Sequence, residues 1–242
     1  MCGRARLLVP GSALAELFGI EAPVEAAPPA LSIAPTELMA VVRLENGKRR
    51  MARLRWGLVP PGARDWREGS RAFNARVETA HQRPLFREAF RRRRCLVVVD
   101  GFYEWKRNGP KTKQPYLLGL PNDEPFALAG LWSRWVSPDG EVVDTCTVLT
   151  CEANAEVAPL HDRMPVVLPP PVYEAWLDPA VGEPQAVRAL LERAPRVSLA
   201  ATPVQLPSQR GAPREPSGAG AGESAGGSAP QLSLFGEPSR RS

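Results

Sequence analysis

Seven short apolar segments of strand type constrain the fold of this chain more than any other feature. Segments with helical periodicity are few and do not alternate regularly with these strands, which argues against a parallel α/β arrangement. The sequence therefore predicts an α+β fold with a largely antiparallel, barrel-like β-sheet and peripheral helices. The predicted strands cover residues 39–43, 50–58, 95–100, 114–120, 126–136, 144–151 and 164–168.

Helical periodicity predicts four helices outside this sheet. The first covers residues 12–18, with Ser12 as its N-cap and Gly19 at its end. The second covers residues 83–94 and ends in four consecutive arginines, whose charge suits the negative end of the helix dipole. A solvated helix end is the favoured interpretation of these arginines, and a DNA contact is the alternative. The other two helices are expected near residues 170–177 and at 184–193.

Composition limits the class of protein and its partners. A hydrophobic content of 43% and a charged content of 24% are typical of a globular protein. No apolar run reaches the eighteen residues of a membrane span, and no signal-peptide core follows the N-terminus, so we expect a cytoplasmic protein. The net charge is +5, and all but four of the 31 basic residues are arginine. This bias fits a polyanionic partner, and it also fits a genome rich in arginine codons.

The amino-acid composition of the chain changes near residue 207. We expect a folded domain over residues 2–206, followed by a flexible Gly/Ala/Pro/Ser-rich linker over 207–230 and a tail to residue 242. The tail contains one apolar island, and such an island is typical of a docking peptide. It resembles the bacterial sliding-clamp-binding pentapeptide, whereas a chance apolar cluster is the alternative. The island consists of Gln231, Leu232, Ser233, Leu234 and Phe235.

Cys2 directly follows the initiator methionine, and removal of Met1 would give it both a free α-amine and a thiol. An α-amino group titrates near 7.7–8.0, so roughly a tenth of it is unprotonated at pH 7, far more than for lysine. Such an amine can attack an aldehyde, and the thiol can then close a five-membered thiazolidine ring. An incidental small residue at a frayed terminus is the alternative.

Three further side chains are candidates for chemistry. His161 lies beside Asp162 in a predicted loop between two strands, where a histidine is available for proton transfer. Glu104 is expected at the end of the 95–100 strand, where burial would raise its pKa and suit it to acid–base catalysis. Asn74 can hold a reacting group with an uncharged donor and acceptor. For His161 and Glu104, purely structural roles are the alternatives.

The remaining cysteines do not suggest a metal site. Cys95, Cys146 and Cys151 show no Cys-x-x-Cys spacing, and few histidines accompany them. They lie in apolar runs, so we expect buried, unreactive thiols, no disulfides and no cofactor.

Six short motifs occur in a fixed order along the chain, and together they are specific. The set resembles the SRAP (SOS-response-associated peptidase) family of abasic-site processing proteins over roughly residues 2–180. The motifs are Cys2-Gly3-Arg4, Ile33-Ala34-Pro35-Thr36, Arg55-Trp56-Gly57-Leu58, Asn74-Ala75-Arg76-Val77-Glu78-Thr79, Gly101-Phe102-Tyr103-Glu104-Trp105 and His161-Asp162-Arg163-Met164-Pro165.

The resemblance implies an SRAP-type fold and a covalent reaction with single-stranded DNA that carries an abasic site. In this family the ring-opened sugar exposes an aldehyde, and Cys2 matches the residue that forms a Schiff base and then a thiazolidine with it. Asn74 matches the residue that positions this nucleophile, and Glu104 matches the acid–base carboxylate. His161 matches the histidine that assists at the deoxyribose and its phosphate.

The resemblance also implies DNA contacts and secondary activities. Arg4, Arg76 and Arg163 fall at positions suited to phosphate contacts. Trp56 could stack on DNA, or pack in the core on the apolar side of its strand. A Schiff base allows lyase cleavage on the 3′ side, and the family name reflects proposed autoproteolytic removal of an N-terminal segment in an SOS response. We expect a monomer associated with the nucleoid.

Two departures from the family pattern concern strand contacts and not the covalent chemistry. Ser32 stands where asparagine is expected, and Pro61-Gly62 stand where an aromatic residue often follows.

Two functions of other classes compete with this interpretation. An N-terminal-nucleophile amidohydrolase would use the α-amine as the base for the Cys2 thiol and would release ammonia from glutamine. A non-enzymatic adaptor for single-stranded DNA and the clamp would bind any single strand in a salt-sensitive way, without preference for the lesion.

Overall fold

The computed structural model describes residues 2–20, 28–109 and 112–206, so the segments 207–230 and 231–235 lie outside the described residues. The strands are β1 Ala5–Leu7, β2 Ala30–Ile33, β3 Leu38–Glu45, β4 Lys48–Trp56, β5 Asn74–Arg76, β6 Arg94–Val99, β7 Gly101–Arg107, β8 Lys113–Gly119, β9 Phe126–Val136, β10 Val142–Glu152, β11 Arg163–Pro165, β12 Val167–Leu168 and β13 Ala200–Pro203. The α-helices are α1 Gly11–Phe18, α2 Val77–Ala80, α3 Pro84–Arg92, α4 Tyr173–Leu177 and α5 Pro184–Arg193, and 3-10 helices cover Trp66–Arg71 and Pro170–Val172.

Five strands close into a barrel in the order β10-β4-β3-β6-β9, because β10 pairs with both β4 and β9. Every pair in this ring is antiparallel except β4 with β10. The short strand β5 adds a second parallel pairing on β10, just beyond the point where β4 leaves it. The predicted α+β fold with a largely antiparallel barrel is therefore confirmed.

A second sheet has the order β13-β8-β7-β1-β2 and is antiparallel throughout. Within it, β1 pairs with β7 through Ala5 opposite Phe102 and Arg6 opposite Gly101. The main-chain N–H of Tyr103 also donates to the carbonyl of Arg4 at 2.9 Å. This pairing brings the first described residues alongside β7.

Strand β4 shows how alternation divides its side chains between the core and the outside. Leu54 and Trp56 are fully buried, whereas Arg53 is exposed. The indole N–H of Trp56 donates to the carbonyl of Phe73 at 2.8 Å, and the two rings meet edge to face. Trp56 is therefore a core residue, and the prediction that it stacks on DNA is wrong, because no part of its ring reaches the surface.

The helix predictions hold with small changes at the ends of the helices. Residue 10 is the N-cap of α1 and makes no side-chain capping bond, so Ser12 lies inside the helix and is not its cap. Gly19 ends α1 as predicted, in the left-handed conformation at φ 61°, which glycine adopts without strain. Helix α5 matches its predicted range, and α3 ends two residues earlier than expected. No helix in the described ranges has the length and apolar content of a membrane span.

Arg94 corrects the interpretation of the arginine run after α3. It is 3% exposed and belongs to β6. Its guanidinium donates to the carbonyl of Trp176 at 2.6 Å and to that of Phe90 at 2.8 Å, and it also contacts the carbonyls of Arg91 and Asp178. Arg94 thus satisfies carbonyls at the C-terminal ends of both α3 and α4, so it is neither a solvated helix end nor available to DNA.

The strand that carries Glu104 differs from the prediction. The structure has β6 and β7 as separate strands in different sheets, with Asp100 between them. The carboxylate of Asp100 accepts from Nε of Arg6 at 2.6 Å and from the main-chain N–H of Leu8, which fixes this corner against β1. Glu104 therefore lies in the middle of β7 and not at the end of the preceding strand.

Candidate active site

Cys2 lies fully buried at the junction of the two sheets. Its thiol contacts the carbonyl of Arg4, with Sγ and O 3.9 Å apart. Burial raises the pKa of the Cys2 thiol to about 12, and the negative charge of nearby Glu104 adds to this effect. The thiol is thus protonated at neutral pH and is a poor nucleophile until a base removes its proton.

Asn74 holds Cys2 from the opposite sheet. Its Nδ2 donates to the carbonyl oxygen of Cys2 at 2.6 Å. Asn74 is the first residue of β5, whose parallel pairing with Val148 of β10 ties it to the barrel. Its Oδ1 is buried and has no hydrogen-bond partner among the described residues, so the amide retains an acceptor beside Cys2.

Glu104 is 3% exposed and lies on β7, opposite Tyr116 of β8. Burial raises its pKa above the usual glutamate value, and the positive charge of nearby His161 opposes that effect. A carboxyl group whose pKa is raised in this way holds its proton more tightly than an exposed glutamate, which suits it to acid–base catalysis. The predicted burial of Glu104 is confirmed.

His161 is about one-third exposed, and its Nδ1 lies near two partners. The main-chain N–H of Arg163 is 2.9 Å away, and Oδ1 of Asp162 is 2.7 Å away. Only an unprotonated Nδ1 can accept from Arg163, and only a protonated one can donate to Asp162. The two contacts therefore belong to different placements of the proton on Nδ1.

Arg163 is engaged in an ion pair within the protein. Its two terminal nitrogens each donate to one carboxylate oxygen of Glu78 at 2.8 Å, and Nη2 also donates to the carbonyl of Thr150 at 2.7 Å. The arginine side chain is 15% exposed. A phosphate contact by Arg163, as predicted, would have to compete with this bidentate pair.

The other two predicted phosphate-binding arginines differ in exposure. Arg76 is exposed at the end of β5, two residues from Asn74 on the same face of the strand. Arg4 is half-buried, and its Nη1 donates to Oγ of Ser32 at 2.7 Å. Ser32, one of the two departures from the family pattern, thus orients an arginine close to Cys2.

Two residues near this site were not singled out from the sequence. Trp66 begins the first 3-10 helix and is half-buried. The guanidinium of Arg55 lies 3.9 Å from its ring centroid and that of Arg67 4.8 Å away. Glu78 is the second, through its pair with Arg163. Neither residue has a distinctive local pattern, and the chain separation hides both pairings.

Contacts between the six motifs link them into two groups at this site. The first group contains the motifs of Cys2, of residues 33–36 and of residues 55–58, together with Asn74 and Tyr103. The second connects Glu78 with the loop of His161, and it joins the first through the 74–79 motif. The linking pairs are Cys2–Asn74, Arg4–Tyr103, Thr36–Trp56, Trp56–Phe73 and Glu78–Arg163.

Comparison with known proteins identifies the family to which this chain belongs. Residues 1–207 match the sequence profile of the family described as SOS response associated peptidase (SRAP). The chain belongs to the SRAP family. A relative in Bacillus subtilis, abasic site processing protein YoqW, is 37% identical over 79% of this chain and 87% of its own. Abasic site processing protein HMCES of Xenopus tropicalis is 29% identical over 55% of this chain and 47% of its own.

Solved structures agree with the SRAP assignment. A crystal structure of a Bordetella bronchiseptica protein is 29% identical, covers 85% of this chain and all of its own, and has a TM-score of 0.71. A second, from Bacteroides thetaiotaomicron, is 22% identical with a TM-score of 0.73 over 84% of this chain and 92% of its own, and so supports the fold alone. This chain therefore has the fold of the SRAP family.

Proposed function

We propose that this protein recognises abasic sites in single-stranded DNA and shields them by covalent attachment through Cys2. The observation that carries the proposal is the arrangement around Cys2, in which Asn74 donates to its carbonyl at 2.6 Å and the charge of Glu104 acts on its thiol. The proposed reaction requires removal of Met1, which frees the α-amine.

The order of steps follows from the protonation states. Because the thiol is protonated at neutral pH, the amine of Cys2 attacks the aldehyde carbon C1′ first and forms a carbinolamine. Loss of water gives a Schiff base. The sulfur then adds to the imine carbon while its proton passes, through a base, to the imine nitrogen, and the thiazolidine ring closes. The overall reaction joins protein and DNA with the loss of one water molecule.

Each neighbouring side chain has a role in this scheme. Glu104 exchanges protons with the opening sugar and the carbinolamine, for which its raised pKa suits it. Asn74 holds the main chain of Cys2 and fixes the direction of the amine. His161 assists at the deoxyribose and its phosphate. Arg4, Arg76 and, in exchange for Glu78, Arg163 contact phosphates.

Side reactions of the same intermediate are part of the proposal. The Schiff base permits β-elimination of the 3′ phosphate, which is a lyase activity. Autoproteolytic exposure of Cys2 is a second proposed activity. We place the protein in the cytoplasm, at the nucleoid, as a monomer that needs no cofactor.

The test is intact-mass spectrometry of Met1-free protein mixed with a single-stranded oligonucleotide carrying one abasic site. We expect a heat-stable species with the mass of protein plus DNA minus one water. Cys2→Ala should bind DNA without forming it, and Cys95→Ala, which changes a buried cysteine of β6 outside the site, should behave like the wild type. A heat-stable adduct of undiminished yield in Cys2→Ala would refute the mechanism.

The two alternative functions predict other results. Release of ammonia from glutamine by the wild type would favour the amidohydrolase. Equal affinity for intact and abasic single strands, with no adduct, would favour the adaptor.

We further propose that residues 231–235 bind the bacterial sliding clamp and keep the domain near DNA. A chain of about twenty flexible residues has a root-mean-square span of about 25 Å, which suits such a tether. Replacing Leu234 and Phe235 with alanine should abolish capture by immobilised clamp, whereas Glu237→Ala, just outside the pentapeptide, should not. Undiminished capture of the double variant would refute the docking role.

A further inference from the structure

The β7–β8 hairpin continues past Glu104 and ends in a group of cations. Lys106 and Arg107 are the last two residues of β7, and Lys113 is the first of β8. All three are exposed. The pairing places Lys106 opposite Gln114 and Arg107 opposite Lys113. We call Lys106, Arg107 and Lys113 the hairpin cations.

The hairpin cations have no carboxylate partner among the residues that the structure describes. This contrasts with Arg6, Arg43, Arg134 and Arg163, each of which pairs with an acidic side chain. Like charges directly opposite each other on an antiparallel pair are also destabilising. Arg107 and Lys113 are such a pair, and an anion bound between them would remove that cost.

Two of the hairpin cations, Lys106 and Arg107, lie a short distance along β7 from Glu104. Lys106 follows Glu104 by two residues and so projects from the same face of β7, whereas Arg107 and its partner Lys113 project from the other face, so that the three cations surround the end of the hairpin. With a rise of about 3.4 Å per residue, Lys106 lies about 7 Å and Arg107 about 10 Å along the strand from Glu104. A DNA strand rises about 3.4 Å per nucleotide in a duplex and more when extended, so these distances correspond to one to three nucleotides.

We propose that the hairpin cations bind the DNA phosphates one to three nucleotides from the lesion, on one side of it. The inference rests on the proposed function, because it takes the abasic sugar to lie between Cys2 and Glu104. The strand that enters the site would then run along β7 toward the hairpin end. The proposal makes the protein asymmetric in the length of flanking DNA that it requires.

The experiment measures reversible binding by fluorescence anisotropy, using a single-stranded oligonucleotide with a tetrahydrofuran in place of the abasic sugar. This analogue has no aldehyde, so no covalent adduct interferes. Oligonucleotides with one or five nucleotides on each side of the lesion are compared. The variant is Lys106→Gln/Arg107→Gln/Lys113→Gln. The matched control, Arg188→Gln/Arg193→Gln/Arg196→Gln, removes three exposed arginines on and after α5.

For the wild type and the control we expect shortening of one flank, but not of the other, to weaken binding roughly 10-fold. The hairpin variant should bind the long oligonucleotide roughly 10-fold more weakly and should lose sensitivity to that flank. The slope of log K against log salt should also fall by about two, since each contact to a single strand contributes about 0.7. Thermal unfolding checks that the exposed substitutions leave the fold intact.

The proposal is overturned if the hairpin variant keeps the affinity, the salt slope and the flank dependence of the wild type. It is also overturned if the control loses as much affinity as the hairpin variant, since the effect would then be one of net charge. These results are separable from the covalent chemistry. If the wild type formed no adduct with a true abasic site, the proposed function would fail while the flank dependence would still report on the hairpin.

Discussion

Arg94 offers a direct test of how the helices are attached to the barrel. In Arg94→Met the aliphatic volume is kept while four main-chain carbonyls at the ends of α3 and α4 lose a donor, of which only that of Asp178 keeps another, the N–H of Val181 at 3.1 Å. A buried acceptor without a partner costs at least about 1 kcal/mol, so the other three cost about 3 kcal/mol. The cost of burying a guanidinium disappears in the variant, which offsets a small part of this loss. We therefore expect a loss of about 2–3 kcal/mol in the free energy of unfolding.

The assay is urea unfolding followed by tryptophan fluorescence, with thermal unfolding as a second measurement. A loss of this size should lower the melting temperature of a domain of this length by about 10 °C. Arg94→Lys retains some donors and should lose about half as much, which keeps the test informative if the methionine variant fails to fold. Arg91→Gln, on the exposed face at the end of α3, is the matched control and should change stability by less than about 0.5 kcal/mol.

A loss below about 1 kcal/mol in Arg94→Met would contradict the reasoning, because the carbonyls would then have other donors. An equal loss in Arg91→Gln would also contradict it, since helix-end charge alone would explain both.

Three further predictions concern single side chains. Burial raises the pKa of Glu104, so the ionised side chain lowers the stability of the fold above the usual glutamate pKa. Glu104→Gln should therefore raise the urea midpoint at pH 7 but not at pH 3. The same variant should slow adduct formation more than it weakens DNA binding. Equal losses of rate and affinity would remove its acid–base role. Trp56→Ala should cost about 3–5 kcal/mol in urea unfolding, because a fully buried ring is lost. Trp56→Phe should leave the affinity for single-stranded DNA unchanged, and a clear loss of affinity in a folded Trp56→Phe variant would restore a stacking contact. Arg163 lowers the pKa of Glu78, so their ion pair stabilises the fold above the usual glutamate pKa, and this contribution is lost as the pH falls through the lowered value. Glu78→Gln should therefore reduce the pH dependence of the free energy of unfolding in urea over that interval. An unchanged pH profile would count against the pair.

The strands of the barrel could be predicted from sequence because their side chains are buried over long apolar runs. In the region 126–136 the predicted and observed bounds coincide. Strand β7 was missed as a separate strand because Gly101 to Arg107 mixes aromatic and charged residues, and only its pairing with β1 and β8 makes it a strand. The three-residue strands β1 and β5 have too few residues for any alternation to be read.

The candidate site was predicted more from the resemblance than from the local pattern. Cys2, Asn74 and Glu104 are far apart in sequence, and each has a plausible structural role when taken alone. The contact between Asn74 and Cys2 depends on the pairing of β5 with β10, which no local signal reveals. The prediction for Arg94 was wrong for a related reason, since its four acceptors come from the ends of two helices that are more than eighty residues apart in the chain.

The distribution of the site along the chain has a consequence for synthesis. Residue 2 is synthesised more than 150 residues before His161, and β10, which anchors Asn74, precedes His161 only shortly. In the proposed reaction, a growing chain therefore carries its nucleophile long before the side chains that would orient it and move its protons. Under that mechanism, reactivity toward aldehydes rises late, when the barrel closes, so that the yield of the proposed cross-link would also report how much of a preparation is folded.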